Sequence, residues 1–305
     1  MSNEAIGWPV KTHEIVTGVF DSTRWNGFAF RDDDIVIATW AKTGTTWMQQ
    51  IVSELVLGPD AGIGVIASPW IDWRVQPFEP MLAQVEAQTH RRFLKTHLPI
   101  DALVFSPRAK YIYVGRDARD VIWSFYNHSV NYADPLVEAY NTPPGLPGQP
   151  LTRPGCDVRT WYLDWLRTGE LEGSTAVPSF WENVQGWWDA RKLPNVLMVH
   201  FANLKADLVR EMRRIAGFLD VEVDEASWPV IAEHCSFDYM KAAFSKIEQL
   251  EMSFKGGGGT FIHQGTNGRW KDVLTAGEAA RCDEVAAAHL TPDCAHWLRT
   301  GELAG

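Results

Sequence analysis

Four short apolar runs punctuate the chain: DIVIATW at 34–40, RFLKT at 92–96, KYIYVG at 110–115 and NVLMVHF at 195–201. The first is β-branched and almost unbroken, as a strand buried on both faces requires, and the others follow its pattern. Between them the apolar period changes. Trp47, Ile51 and Leu55 recur at helical spacing in the segment 46–57, and Trp161, Trp165, Trp181, Trp187 and Trp188 fall within helical patterns as core positions. Strands alternating with helices predict right-handed βαβ units and an α/β fold around a mainly parallel sheet. Such sheets bind ligands beyond the carboxyl ends of their strands, so chemistry is expected after Trp40, Thr96 and Gly115.

Two segments break the pattern. Residues 131–155 hold Pro135, Pro143, Pro144, Pro147, Pro150 and Pro154 with little periodicity, which reads as a long irregular loop, either a lid or plain disorder. KGGGGTFIHQGTNGRW at 255–270 is too glycine-dense for an element interior and reads as backbone that approaches something or moves. A near repeat, WLRTGELEG at 165–173 and WLRTGELAG at 297–305, has unrelated flanks; a last helical turn closed by glycine at C′ accounts for both copies, and no function is assigned to it.

The 305 residues are 46% hydrophobic and 22% charged, with no hydrophilic linker, so one domain over 1–305 is expected. A net charge of −10 argues against nucleic acid as a partner and requires any anionic ligand to be held by a local group of cations and backbone dipoles. Cys156, Cys235, Cys282 and Cys294 lack the close pairing of a zinc site. With no signal-like N-terminus and no membrane-spanning run, a cytoplasmic protein without integral membrane association is expected.

Three stretches carry chemistry. In AKTGTT (41–46) Lys42 precedes Gly44, unlike the Walker order in which lysine follows the last glycine; Thr43, Thr45 and Thr46 offer hydroxyls and, with Gly44, amides at a helix start. YVGRDARDVIWSFYNH (113–128) runs a strand into a basic turn and a helix, placing Arg116 and Ser124 to grip a second phosphate, with an ion pair to Asp117 or Asp120 as the competing role for the arginine. KTHLP (95–99) sets His97 beside Lys95 at a strand end, as a general base or as a structural histidine.

Together these motifs resemble the cytosolic-type, PAPS-dependent sulfotransferases. That family's first signature, TYPKSGTTW, is similar to TWAKTGTTW at 39–47, and its RNPKDVxVSxY is similar to RDARDVIWSFY at 116–126. KTHLP matches as it stands, and the segment 178–207 resembles the family's tryptophan-pair helix, strand and following helix, so the likeness spans about residues 25–290. The resemblance implies a P-loop NTPase-like three-layer fold. It also implies 3′-phosphoadenosine 5′-phosphosulfate (PAPS) as co-substrate, adenosine 3′,5′-bisphosphate (PAP) as product, and no metal. Lys42 and the amides of Thr43, Gly44, Thr45 and Thr46 would hold the 5′-phosphosulfate, Arg116 and Ser124 the 3′-phosphate, and Lys95 would help neutralise the transferring group. Trp47 would stack on adenine, with Phe201, Cys235 and Phe237 around it, and His97 would deprotonate the acceptor.

The last signature, RKGxxGDWKNxFT, is matched less well by HQGTNGRWKDVLT at 263–275, which keeps Gly265 and Gly268 but has His263 and Gln264 in place of the two cations. His263, Gln264, Gly265 and Arg269 are expected to bind the nucleotide, with either His263 and Gln264 or Arg269 and Lys255 taking over the 3′-phosphate, and with 254–275 as a nucleotide-covering loop. The dimer signature KxxxTVxxxE is half present, with Lys271 and Thr275 but Ala276 and Ala280, so a monomer or weak homodimer is expected. The acceptor expected is a small aromatic or apolar alcohol, in a pocket drawn from residues 68–82, Phe125, Tyr126 and the proline-rich loop. A glycolipid sulfotransferase, a P-loop kinase using Mg-ATP with Asp117 or Asp120 on the metal, and a non-catalytic nucleotide-binding protein are the alternatives.

Overall fold

The computed structural model describes residues 7–59, 62–142, 150–171 and 177–303. The four apolar runs form strands β1 (Ile35–Thr39), β2 (Phe93–Thr96), β3 (Lys110–Gly115) and β4 (Val196–His200). All neighbours pair in parallel, in the order β2-β1-β3-β4. Successive side chains of a strand point to opposite faces, and the burial follows that rule. Ile35, Ile37, Ile112 and Val114 pack with Met48, Ile51 and Leu55 of helix Thr45–Leu57 and with Met212, Ile215 and Leu219 of helix Leu208–Leu219. Val36, Ala38, Tyr111 and Tyr113 pack on the other side with Val121 and Ile122 of helix Ala118–Val130 and with the buried Trp161, Trp165, Trp187 and Trp188. The result is the expected three-layer α/β fold of the P-loop type. No helix among the described residues is long and apolar enough to cross a membrane.

At the amino ends of β1 and β2, the Arg92 guanidinium donates to both oxygens of Asp34 (2.7 and 2.5 Å), and both side chains are buried. The opposite strand ends stay open for the site.

Two sequence expectations need correction. The proline-rich stretch is not irregular throughout, because Asp134–Tyr140 is a helix. Pro135 sits at its start, where the missing N–H costs nothing, and Leu136 and Tyr140, one turn apart, are buried. Pro143, Pro144 and Pro147 lie outside the described residues. The glycine run is also not free of structure, since Gly257–Phe261 forms a short helix. The expected close approach is present within it: a Cβ on Gly258 would stand 1.8 Å from the Phe244 carbonyl oxygen.

The near repeat behaves as its local chemistry requires. Gly169 (φ 74°) and Gly301 (φ 81°) both close helices in the left-handed conformation, their N–H groups donating to the Trp165 and Trp297 carbonyls at 2.8 and 2.7 Å. The second copy packs on the end of β3, where Trp297 fills the space left by Gly115. A Cβ on Gly115 would lie 2.2 Å from Trp297 Cη2. Gly115→Ala is therefore expected to destabilise the fold by about 1–3 kcal/mol, read from urea midpoints. Gly115→Ala combined with Trp297→Leu is expected to cost less than the sum of the two single changes.

Candidate functional site

The turn between β1 and helix Thr45–Leu57 is bent through two left-handed positions, Lys42 (φ 69°) and Gly44 (φ 123°). That conformation costs a non-glycine residue about 1–3 kcal/mol, and such strain is characteristically held where a side chain must be aimed. Gly44 is required on two counts, its φ and the Phe201 ring that would stand 2.9 Å from any Cβ. No side chain caps this helix, so its first amides are left to whatever enters the cavity. The Thr43 hydroxyl, expected to face the anion, turns inward instead and donates to the Trp40 carbonyl (3.0 Å), closing the turn. The Thr45 hydroxyl is likewise engaged, 2.7 Å from Thr39 Oγ1.

Above this turn opens a cavity of about 640 Å³. Its lining includes Lys42, Lys95, Arg116, Lys205 and Arg269, and no aspartate or glutamate among the described residues. In a chain of net charge −10 this places positive charge locally, against the overall balance. Burial, reinforced by Lys95 and Arg116, lowers Lys42 to about 7; burial lowers Lys95 to about 8 and Arg116 to about 10. The cations rest on neutral partners. Lys95 Nζ lies 4.0 Å from the centre of the Trp70 ring, the Arg116 guanidinium 4.1 Å from Phe201, and Lys42 Nζ 5.2 Å from Phe261. Lys42 Nζ also lies 3.2 Å from His128 Nδ1.

His97, just beyond β2, is buried (6% exposed) yet lines the same cavity. Its Nδ1 is 3.0 Å from the Thr39 carbonyl oxygen and 2.9 Å from Thr39 Oγ1. A carbonyl only accepts, so Nδ1 carries the proton and Nε2 keeps a free lone pair. Burial first, then Lys95 and Lys42, hold its pKa well below the ordinary imidazole value, so the ring is neutral. The Asn183 amide fixes the backbone by donating to the His97 carbonyl (3.2 Å).

On the far side, Arg116 turns its fork to neutral oxygens and not to Asp117 or Asp120. Nε and Nη2 donate to Asn267 Oδ1 (3.0 and 2.7 Å), Nη2 also to the Thr266 carbonyl (3.1 Å) and Nη1 to the Lys42 carbonyl (3.2 Å). Asp117 is taken by Arg119, and Asp120 accepts from the Gly268 amide (2.6 Å). Neither carboxylate is thus available in the way a kinase metal site would need. Ser124 lines the cavity near this end, as do His263, Gln264 and Gly265. Of the two compensating cations expected, Arg269 lines the cavity, but Lys255 does not. Lys255 sits in a separate shallow depression with Asp134 and Glu251, its backbone N–H donating a hydrogen bond to the Asn131 carbonyl (2.8 Å).

Trp47, Phe201, Cys235 and Phe237 line the same cavity. Trp47 donates its indole N–H to the Cys235 carbonyl (2.8 Å) and meets Phe201 edge-on at 5.3 Å, and Gly265 (φ 62°) passes so close to Phe237 that a Cβ would be 2.5 Å from its ring. The opposite lobe is apolar, with Phe20, Trp70, Trp73, Phe125, Tyr140 and Leu151 along it. Tyr126 points elsewhere, its hydroxyl donating to the Cys156 carbonyl (2.8 Å). Sequence reasoning passed over Thr39, Asn267 and His128. The last had a signal, since it lies four residues after Ser124 and so on the same helix face.

A family model described as a sulfotransferase domain matches residues 32–292. The chain is 31% identical to a glycolipid sulfotransferase of Mycobacterium bovis, over 92% of each protein, and 27% identical to human Sulfotransferase 1C2, over 85% of this chain and 83% of that one. Among solved structures, a mouse sulfotransferase complexed with PAP matches with TM-score 0.67 and 21% identity over 91% of this chain and 92% of that one. A retinol dehydratase in complex with retinol and PAP matches with TM-score 0.68 and 19% identity over 88% and 84%; at these identities the likeness is one of fold. With the family model covering most of the chain and its signatures gathered around one cationic cavity, the chain belongs to the sulfotransferase family.

Proposed function

We propose that the chain moves a sulfuryl group from PAPS to the hydroxyl of an apolar acceptor. The carrying observation is the cavity itself, which sets Lys42, Lys95, Arg116 and Arg269 around one space without a carboxylate and so fits a ligand bearing several phosphate-like groups. The fit extends to the base: Trp47, Phe201 and Phe237 leave flat apolar surface beside the cations, with Gly44 and Gly265 allowing the backbone to come close. PAPS would supply the activated sulfuryl group and the PAP leaving group.

In this reading Lys42 and the uncapped amides of Gly44, Thr45 and Thr46 hold the 5′ end, and Arg116, Ser124 and Arg269 the 3′-phosphate. His97 Nε2 takes the acceptor's proton as the new S–O bond forms, and Lys42 stabilises the negative charge left on the bridging oxygen when the old S–O bond breaks. Lys95, held over Trp70, faces the transferring group between them. Positioning and charge account for most of the rate. Phe20, Trp73, Phe125 and Tyr140 favour a small aromatic or apolar alcohol as acceptor. A glycolipid is the second reading, supported by the mycobacterial relatives' name and by Ile66, a lining residue 73% exposed at the cavity's edge. The buried thiols of Cys235, Cys282 and Cys294 accord with work in the reducing cytoplasm.

Incubation with labelled PAPS and a panel of phenols, alcohols and lipid extracts is expected to label an acceptor. His97→Ala should lower kcat by about a hundred- to ten-thousandfold while PAP affinity holds, and near-native turnover would remove His97 from its role. Arg269→Ala is expected to weaken PAP binding about tenfold by calorimetry, and Lys255→Ala to leave it unchanged. The pH profile of kcat/KM for PAPS reports the free enzyme. Because His97 is held well below 6.5, no acid limb is expected there; because Lys42 loses its proton near pH 7 and Lys95 near 8, the rate should fall as pH rises through that window. Lys42→Arg should carry the alkaline limb upward, since a guanidinium stays charged.

A further inference from the structure

We infer that His128 is a positioning residue for Lys42, its neutral imidazole accepting a hydrogen bond from the ammonium and holding it at the point where the sulfuryl group changes hands. The inference rests on the sulfotransferase reading and adds a residue that none of the motifs assigns.

His128 lies on helix Ala118–Val130, one turn beyond Ser124, and both line the cavity. Its Nδ1 stands 3.2 Å from Lys42 Nζ. An ammonium has donors and no lone pair, so the imidazole nitrogen must accept; Nδ1 is bare and the ring proton is on Nε2. The surroundings enforce this state. The rings of Phe125, Tyr132, Phe254 and Phe261 enclose the imidazole with centroids 6.3, 5.1, 4.7 and 5.8 Å away. Besides the Tyr132 phenol, the titratable groups that face it are Lys42, Lys95 and His97, and burial first, then these three, opposes a second proton.

The choice of acceptor has a chemical consequence. A carboxylate in this place would fix the lysine equally well but would cancel its charge and expel an anionic donor. Imidazole occupies one of the three N–H groups and leaves the full charge, with two donors, for the bridging oxygen. The contact also spans two elements, because Phe261, on the short glycine-rich helix, lies under the same ammonium. A four-carbon lysine stem otherwise has wide rotamer freedom, which an oriented acceptor removes before the reaction begins.

The test compares native protein with His128→Phe, His128→Asn, His128→Gln, Lys42→Met and the double variant Lys42→Met/His128→Phe. Turnover is read as PAP release from PAPS with 2-naphthol as acceptor and with water alone, and PAP affinity is read by calorimetry. His128→Phe keeps an aromatic in the aromatic cage but removes the acceptor, and is expected to lower kcat about ten- to a hundredfold with PAP affinity within about twofold. His128→Asn places an amide oxygen where Nδ1 was and should recover most of the rate, whereas His128→Gln places its amide one carbon further out and should not. In the Lys42→Met background, His128→Phe should have no further effect. Native kcat in His128→Phe, equal rates in the Asn and Gln variants, or an undiminished His128→Phe effect without Lys42 would each overturn the inference. The Asn and Gln comparison decides if His128→Phe fails to fold. Full turnover in Lys42→Met would instead bring down the role of Lys42 beneath it.

Discussion

Buried positive charge with no carboxylate at salt-bridge distance among the described residues is the constraint on which this molecule depends. Removing an ammonium or guanidinium from water is costly, and folded proteins ordinarily answer with a carboxylate at salt-bridge distance. Here Lys42, Lys95 and Arg116 receive aromatic faces, an imidazole, a carboxamide and backbone carbonyls, each of which steadies a cation while leaving its charge intact. The carboxylates nearby are diverted. Asp117 is bound by Arg119, Asp120 by the Gly268 amide, and Asp72 is buried beneath the Trp25 and Trp70 indoles, which donate to it at 3.1 and 2.9 Å. Burial first, and for Lys42 also the neighbouring cations, lowers the pKa of both lysines, so an anion entering the cavity would favour their charged forms.

The parallel sheet makes the arrangement possible. β1 delivers Thr39 and the strained turn with Lys42, β2 delivers Lys95 and His97, β3 delivers Arg116, and β4 leads into Phe201, all at the same edge. Register then does chemical work. Thr39 receives the His97 imidazole with its carbonyl and hydroxyl, and that hydroxyl meets Thr45 at the helix start. His97 is therefore tied to the turn that carries Lys42 through two threonines, and a shift of either strand would disturb both.

What the sequence disclosed follows from the range of the interactions involved. The four strands were legible because burial on both faces leaves an apolar signature within five or six residues, and each ran within a residue or two of its predicted span. Lys42, His97 and Arg116 were legible because each stands at a strand's carboxyl end, where the fold alone directs attention. The hydroxyl of Thr43 was misjudged because its partner, the Trp40 carbonyl, belongs to the turn's own closure and competes with any ligand. Asn267 and Lys255 are long-range cases. One reaches Arg116 and the other is held away from the cavity by a loop whose glycines give no periodic signal, so only the folded chain separates them. The helix at Asp134–Tyr140 was hidden because proline marks both breaks and helix starts.

The final helix shows how a segment at the edge of the family match can still bear on the site. The match ends at residue 292, while helix Pro292–Thr300 continues and inserts Trp297 against Gly115, the residue before Arg116. Around it, His200 Nε2 donates to the Leu298 carbonyl (3.0 Å) and the Asn203 amide to the Gly301 carbonyl (2.9 Å), so β4 and the helix after it are fastened to the same segment. Arg116 and Phe201, which stack on one another, thus emerge from two strand ends clamped by one C-terminal turn. The guanidinium's direction is accordingly set from beneath by packing and from above by Asn267, before any ligand enters the cavity.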